Sequence, residues 1–88
     1  MFSIYDKLQM QRTRAHDALG HTVRELRARR RLSQEALGYR AGLHRNYVGA
    51  IERGEINPTY RVLLKLERGL QFPLSEIIAL AETRRAES

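Results

Sequence analysis

The stretch from Ser33 to Gly54 contains two short helix-forming segments separated by a glycine. Ser33 is a good N-cap because its hydroxyl can accept hydrogen bonds from the free amides of a first helical turn, which predicts a compact helix over residues 34–40. Gly42 has no Cβ and can adopt the left-handed conformation, so the chain can turn sharply there. A second helix is predicted over residues 45–53, ending at Gly54. The stretch therefore predicts two helices joined by a tight turn.

The second helix has two chemically different faces. Its Val48 and Ile51 lie three apart on one face and are expected to be buried, together with Leu37 of the first helix and Leu43 of the turn. Its opposite face carries hydrogen-bond donors, an amide and small residues: Arg45, Asn46, Gly49 and Ala50, with Tyr47 and Arg53 at the margins. Such a face is suited to lying in a groove.

This segment resembles the helix-turn-helix of the Cro and phage-repressor (XRE-type) family of DNA-binding transcriptional regulators. The resemblance is carried by Ser33-Gln34-Glu35, Leu37-Gly38, Ala41-Gly42-Leu43, Ile51-Glu52-Arg53-Gly54 and Asn57-Pro58-Thr59, and it extends over about residues 19–80. It implies an all-α, five-helix, lambda-repressor-like domain over residues 15–83, with the motif at 33–54 and a recognition helix at 45–53. The chain also looks like the controller proteins of restriction-modification systems, both in its size and in its segment Arg45-Asn46-Tyr47.

In this family the recognition helix lies in the major groove, where each base pair presents a distinct pattern of donors and acceptors. The resemblance therefore implies base contacts by Arg45, to guanine, and Asn46, to adenine, with Gly49 and Ala50 permitting close approach. His44 has three open roles: a helix cap, a phosphate contact or a base contact. The predicted contacts to the DNA backbone are Gln34, Tyr47 and Arg53. The resemblance also implies an ion pair between Arg27 and Glu52, which would tie the first helix to the recognition helix.

The positive charge is concentrated in the part of the chain that is predicted to meet DNA. The formal net charge is +6, and residues 12–61 hold eleven arginines against five acids, while the flanking residues cancel. This distribution is expected of a protein that neutralises phosphates. General solubility is the alternative explanation of an arginine-rich chain.

Three further helices are predicted around the motif. Apolar spacing over residues 14–30 predicts a first scaffold helix, although Gly20 favours a start nearer Asp17. Thr59 is expected to cap a helix from Tyr60 to Leu70, with Tyr60 and Phe72 in the core. The last helix, ending near Thr83, carries more apolar residues than one core face needs. By analogy with related repressors, Leu74, Ile77, Ile78 and Ala81 are assigned to a homodimer interface; an entirely intramolecular core is the alternative.

The segments outside these helices have simpler expectations. Residues 1–14 form an N-terminal extension with three competing interpretations: disorder, a helix packed on the domain or a dimer partner, and an arm that brings arginines to DNA. Residues 29–31 are expected to form a solvated basic turn, with backbone contact as the second possibility. Residues 84–88 are expected to be a flexible tail.

Several classes of function lack support in the sequence. There is no cysteine, no metal-ligand spacing, no nucleophile motif and no phosphate-binding glycine loop, which favours a protein that is not an enzyme and has no cofactor or metal. No apolar run is long enough to cross a membrane, and a cytoplasmic location is expected. The expected partners are double-stranded DNA and a second copy of the chain. The alternative is a protein-interaction module, such as an antitoxin or a scaffold, with an unknown protein partner.

Overall fold

The computed structural model describes residues 13–87, which fold into five α-helices. They are α1 (Arg14–Arg29), α2 (Gln34–Ala41), α3 (Arg45–Glu52), α4 (Tyr60–Leu70) and α5 (Leu74–Glu87). Residues 13–87 contain no β-strand. The predicted all-α, five-helix architecture is confirmed, and the predicted extension lies outside the described residues except for its last two positions.

Side-chain caps explain where most helices begin. The hydroxyls of Thr13, Ser33 and Thr59 each accept a hydrogen bond from the amide three residues later, which satisfies one of the free donors of a first turn. The start of α5 is different, because the Leu74 amide donates to Glu67 Oε2 of α4 at 2.7 Å. A carboxylate of one helix therefore caps the next.

One apolar core joins all five helices. Helix α1 lies between α3 and α5, while α2 packs against α3 and α4. The buried cluster consists of Val23, Leu26, Leu32, Leu37, Ala41, Val48, Ile51, Leu66, Leu70 and Ile77. Because α3 contributes Val48 and Ile51 to this cluster, the helix predicted to read DNA is anchored directly in the core.

Gly20 does not shorten the first helix, which begins at Arg14 rather than near Asp17. A Cβ on Gly20 would lie 2.5 Å from the carbonyl oxygens of both Ile51 and Glu52. The glycine thus allows the backbones of α1 and α3 to approach closely. Tertiary packing outweighs its unfavourable helix propensity of about 1 kcal/mol.

Gly20→Ala is expected to lower the free energy of unfolding by about 1 to 3 kcal/mol, because backbone atoms of α3 would have to move. Helix propensity alone predicts the opposite sign. Gly49→Ala is a matched control, since a Cβ there would meet only side-chain atoms of Arg53 and Gln34, at 3.0 Å and 3.6 Å. Chemical denaturation measures both variants. A Gly20→Ala protein as stable as Gly49→Ala would contradict the close approach.

One prediction about the surroundings of α4 is wrong and another is incomplete. Tyr60 is 69% exposed, since it lies in the first turn of α4 and points away from the core. Arg30 is exposed in the basic turn, as predicted, but its Nε and Nη2 also donate to the carbonyl oxygens of Leu70 and Gln71 at 2.9 Å and 2.7 Å. Its guanidinium also lies 4.1 Å from the centre of the Phe72 ring. Arg30 therefore satisfies carbonyls at the end of α4, where intrahelical donors run out.

The predicted flexible tail is helical over residues 84–87, because α5 continues to Glu87. Arg84 Nη2 donates to Glu25 Oε1 of α1 at 2.9 Å. This contact attaches the last turns of α5 to the first scaffold helix.

Half of the predicted dimer interface is unavailable to a partner. Ile77 is fully buried and Ala81 is 8% exposed, because this face of α5 packs within the chain itself, mainly on α1. Leu74 and Ile78 are half-buried and remain partly accessible. For Ile77 and Ala81, the alternative of an intramolecular core is the correct one.

Candidate nucleic-acid interface

The turn between α2 and α3 fixes the position of the candidate recognition helix. Gly42 adopts φ 73°, the left-handed conformation that glycine favours, and Leu43 donates its amide hydrogen to Gly38 O at 2.8 Å. A Cβ on Gly38 would lie 2.4 Å from Leu43 O, so the returning chain passes directly over this glycine. The angle between the two helices is thus set by backbone contact.

The first turn of α3 presents its polar side chains to solvent. Arg45 and Asn46 are both exposed. His44 is also exposed, but its Nδ1 accepts a hydrogen bond from the Asn46 amide at 3.0 Å. Of its three open roles, the structure shows the helix cap.

The predicted close-approach residues are less accessible than expected. Gly49 is buried and Ala50 is half-buried. Gly49 lies beneath the side chains of Arg53 and Gln34, which would stand 3.0 Å and 3.6 Å from a Cβ at this position. Gly49 is therefore covered in the free chain, and its predicted base contact stays a prediction. Tyr47 is half-buried against the core, while Arg53 is exposed.

A buried carboxylate connects the candidate recognition helix to the helices behind it. Glu52 is 3% exposed and accepts two hydrogen bonds from Arg27, Nε to Oε2 at 2.6 Å and Nη2 to Oε1 at 3.0 Å. Gln34 Nε2 donates to the same Oε1 at 3.0 Å, and Arg24 Nε lies 3.7 Å from it. Glu52 thus joins α1, α2 and α3.

The hydrogen bonding of the Arg27 guanidinium to the accepting carboxylate of Glu52 raises the pKa of Arg27 above its ordinary value, against the opposing effect of burial. A group whose pKa is higher in the folded than in the unfolded state contributes stability at pH values below its unfolded-state pKa. Because this arginine loses its proton only far above neutral pH, it stays charged, and its contribution to the pair is constant, across the pH range of ordinary folding experiments.

Two exposed glutamates hold arginines of the candidate interface. Arg45 Nη1 donates to Glu35 Oε2 at 3.1 Å, and Arg53 Nε donates to Glu55 Oε2 at 3.0 Å. The second hydrogen bond raises the pKa of Arg53. The two arginines at the two ends of α3 are therefore both engaged by carboxylates in the free chain.

The structure thus brings together most of the predicted site and adds residues that sequence reasoning missed. Glu35 and Glu55 pair with predicted contacts, and Arg24 approaches Glu52. Glu55 lies two residues from Arg53, so the short spacing in the sequence is a signal that could have indicated this ion pair. Glu35 is ten residues from Arg45, and only the angle between α2 and α3 makes that contact predictable.

No helix within residues 13–87 is both long and apolar enough to cross a membrane. The same residues contain no group of three or more histidine, cysteine, aspartate or glutamate side chains that could hold a metal ion.

Comparison with known proteins places this architecture in a family. The family described as "Helix-turn-helix domain" matches residues 18–80. The control protein C.SmaI of Serratia marcescens is 37% identical over 62 residues, covering 70% of this chain and 74% of that protein. The uncharacterized HTH-type transcriptional regulator YgzD of Bacillus subtilis is 38% identical over 60 residues, covering 68% and 91%.

Solved structures give the same result. The restriction-modification controller protein C.AhdI from Aeromonas hydrophila matches with a TM-score of 0.69 and 40% identity, covering 70% of this chain and 94% of that one. The chain therefore belongs to the XRE-type helix-turn-helix family of DNA-binding transcriptional regulators. Within that family it is similar to the restriction-modification controller proteins.

Proposed function

We propose that the protein binds one double-stranded DNA sequence specifically, with α3 in the major groove. The observation that carries this proposal is the division of α3 into two parts. Its first turn exposes Arg45 and Asn46, while Glu52 in its last turn is fixed to α1 by two hydrogen bonds. A rigidly held helix with exposed polar side chains at one end is what reading base edges requires.

The chemistry of these side chains suggests their targets. Arg45 has a planar fork that matches the two acceptors of guanine, and the Asn46 amide matches the donor and acceptor of adenine. Ala50, half-buried one turn beyond Asn46, leaves room for a thymine methyl group. We assign no base contact to the buried Gly49, and we assign His44 the role of a cap rather than a reader.

Contacts to the sugar-phosphate backbone would fix the register of the complex without reading sequence. Arg53 is exposed at the end of α3, and Gln34 lies at the start of α2 with Tyr47 half-buried nearby on α3. We assign these three side chains to phosphate contacts. Such contacts give binding a strong dependence on salt.

We further propose that the protein acts as a homodimer through a surface of α4 and α5. This dimer surface consists of Tyr60, Leu63, Leu64 and Ile78. Tyr60 is 69% and Leu64 is 39% exposed, Leu63 adjoins both on α4, and Leu63 and Ile78 line one open groove. Neighbouring accessible apolar side chains of this kind favour an interaction with a partner. Two copies would place their recognition helices about one DNA turn apart, roughly 34 Å, on an inverted repeat.

Leu64→Glu is expected to convert the protein from a dimer to a monomer at micromolar concentration, because a charge would have to be buried in an apolar contact. Tyr39→Glu is the matched control, since Tyr39 is 90% exposed on α2 and is not one of the four residues of the dimer surface. Sedimentation velocity measures the mass of both variants. A Leu64→Glu protein with the mass of the wild type would exclude this dimer surface.

The experiment that tests the proposed function is the selection of bound duplexes from a random DNA pool, read by sequencing. An enriched inverted repeat with half-sites about one turn apart would support a dimeric, sequence-specific regulator and would supply its operator. A pool that stays unenriched, with salt-sensitive binding only, would contradict base reading by α3.

A further inference from the structure

The contact between Glu35 and Arg45 connects the two helices of the motif at the candidate interface. Glu35 lies in the first turn of α2 and Arg45 in the first turn of α3, and both side chains are largely exposed, 74% and 62%. An exposed pair contributes little to stability. An acidic residue in a first turn also interacts favourably with the helix dipole, but that effect does not require Glu35 to contact Arg45.

The contact with Glu35 leaves available the edge of the Arg45 guanidinium that can bind a guanine. Arg45 donates to Glu35 through Nη1, while Nε and Nη2 form the adjacent edge of the same planar group. Within this protein Arg27 uses that edge, Nε and Nη2, to bind the two oxygens of Glu52. Arg45 can therefore keep its contact with Glu35 and still present two parallel donors to the two acceptors of guanine.

We propose that Glu35 is a positioning residue, which holds the guanidinium of Arg45 so that its Nε–Nη2 edge faces a guanine. This inference rests on the proposed function and deepens it. If one conformation of a long side chain is already fixed before binding, less conformational entropy is lost when the complex forms than with an unpaired arginine. The carboxylate of Glu35 also repels phosphate, which disfavours nonspecific contacts at the same place.

The test measures base discrimination by Glu35→Gln, with the duplex obtained from the selection as the operator. Each G·C pair of that duplex is replaced in turn by A·T, and the pair read by Arg45 is the one whose preference is lost in Arg45→Ala. At this pair Glu35→Gln is expected to reduce discrimination about three- to tenfold, a part of what one bidentate contact supplies. Its affinity for an unrelated duplex is expected to be unchanged or higher.

Two comparisons separate positioning from simpler effects. Glu76→Gln makes the same change of charge on α5, which packs on α1 and α4, and is expected to leave discrimination unchanged. In the background of Arg45→Ala, Glu35→Gln is expected to have no further effect on discrimination, because its action passes through that arginine. Thermal unfolding of Glu35→Gln shows whether its fold is intact, and loss of structure alone would weaken both duplexes equally.

Three outcomes would overturn the inference. The first is base discrimination by Glu35→Gln within twofold of that of the wild type. The second is an equal change in affinity for the operator and for the unrelated duplex. The third is an effect of Glu35→Gln on discrimination that is just as large in the Arg45→Ala background. The proposed function fails separately, by the absence of any selected sequence for the wild-type protein. A wild type that selects an operator and a Glu35→Gln variant that reads it equally well would therefore refute the role of Glu35 alone.

Discussion

Replacing Glu52 with alanine is expected to lower the free energy of unfolding by about 3 to 5 kcal/mol. The variant leaves Arg27, whose side chain is 18% exposed, without the carboxylate that accepts two of its hydrogen bonds. Gln34 loses its acceptor as well. Since small domains have only about 5 to 15 kcal/mol of stability in total, this loss should be visible as a large decrease in the midpoint of urea unfolding.

Glu82→Ala provides the matched control for this measurement. Glu82 pairs with Arg85 within α5, and the two side chains are 57% and 49% exposed. Removal of such a surface carboxylate is expected to change the unfolding free energy by no more than about 0.5 kcal/mol. Equal losses for Glu52→Ala and Glu82→Ala would show that the connection between α1, α2 and α3 is not important for stability.

A double-mutant cycle isolates the pair itself. The combined variant Arg27→Ala/Glu52→Ala is expected to lose less stability than the sum of the two single variants, because neither charge is left buried alone. Additive losses would mean that the two side chains act independently, despite the 2.6 Å contact between Arg27 Nε and Glu52 Oε2.

The combined variant Arg45→Ala/Asn46→Ala is expected to lose about 2 to 6 kcal/mol of operator binding free energy, at least about thirtyfold in Kd. Under the proposed function each side chain supplies one contact to a base, and each such contact discriminates by about 1 to 3 kcal/mol. Both side chains are exposed, so the unfolding free energy should change little. On an unrelated duplex only one positive charge is lost, and the salt slope should fall by about 1.

Titrations of operator and unrelated duplexes at one fixed salt concentration measure this difference. Arg29→Ala removes the same charge from the part of α1 that faces α5, where Arg29 lies 3.9 Å from Glu25, which also binds Arg84. It should weaken both duplexes slightly and equally. If the combined variant at residues 45 and 46 also weakens both duplexes equally, α3 contributes charge without reading bases.

The resemblance to the XRE-type family predicted the fold, and the local signals of the sequence agree with that prediction. Ser33, Gly42 and Thr59 end or begin helices by mechanisms that act over three or four residues, and the structure shows each of them in its expected place. Apolar spacing then identifies the buried side of each helix, as for Val48 and Ile51 of α3. These features depend on neighbours in the chain, which a sequence displays directly.

The features that sequence reasoning missed depend on distances between helices. Tyr60 was expected in the core because it is aromatic, but its position at the start of α4 turns it outward. Ile77 and Ile78 are adjacent and equally apolar, yet only Ile77 faces inward. Glu67 caps α5, but predicting that role requires the angle between α4 and α5. Composition and periodicity do not contain such angles.

The division of α3 between core and solvent bears on how new DNA targets arise. Val48, Ile51 and Glu52 are buried and support the fold, whereas Arg45 and Asn46 are exposed and have no part in the core. Under the proposed function, substitution at the two exposed positions therefore alters the preferred operator while the scaffold is retained. Two neighbouring codons could thus change which promoters a descendant of this protein recognises, and related regulators could diverge in one cell without losing their common architecture.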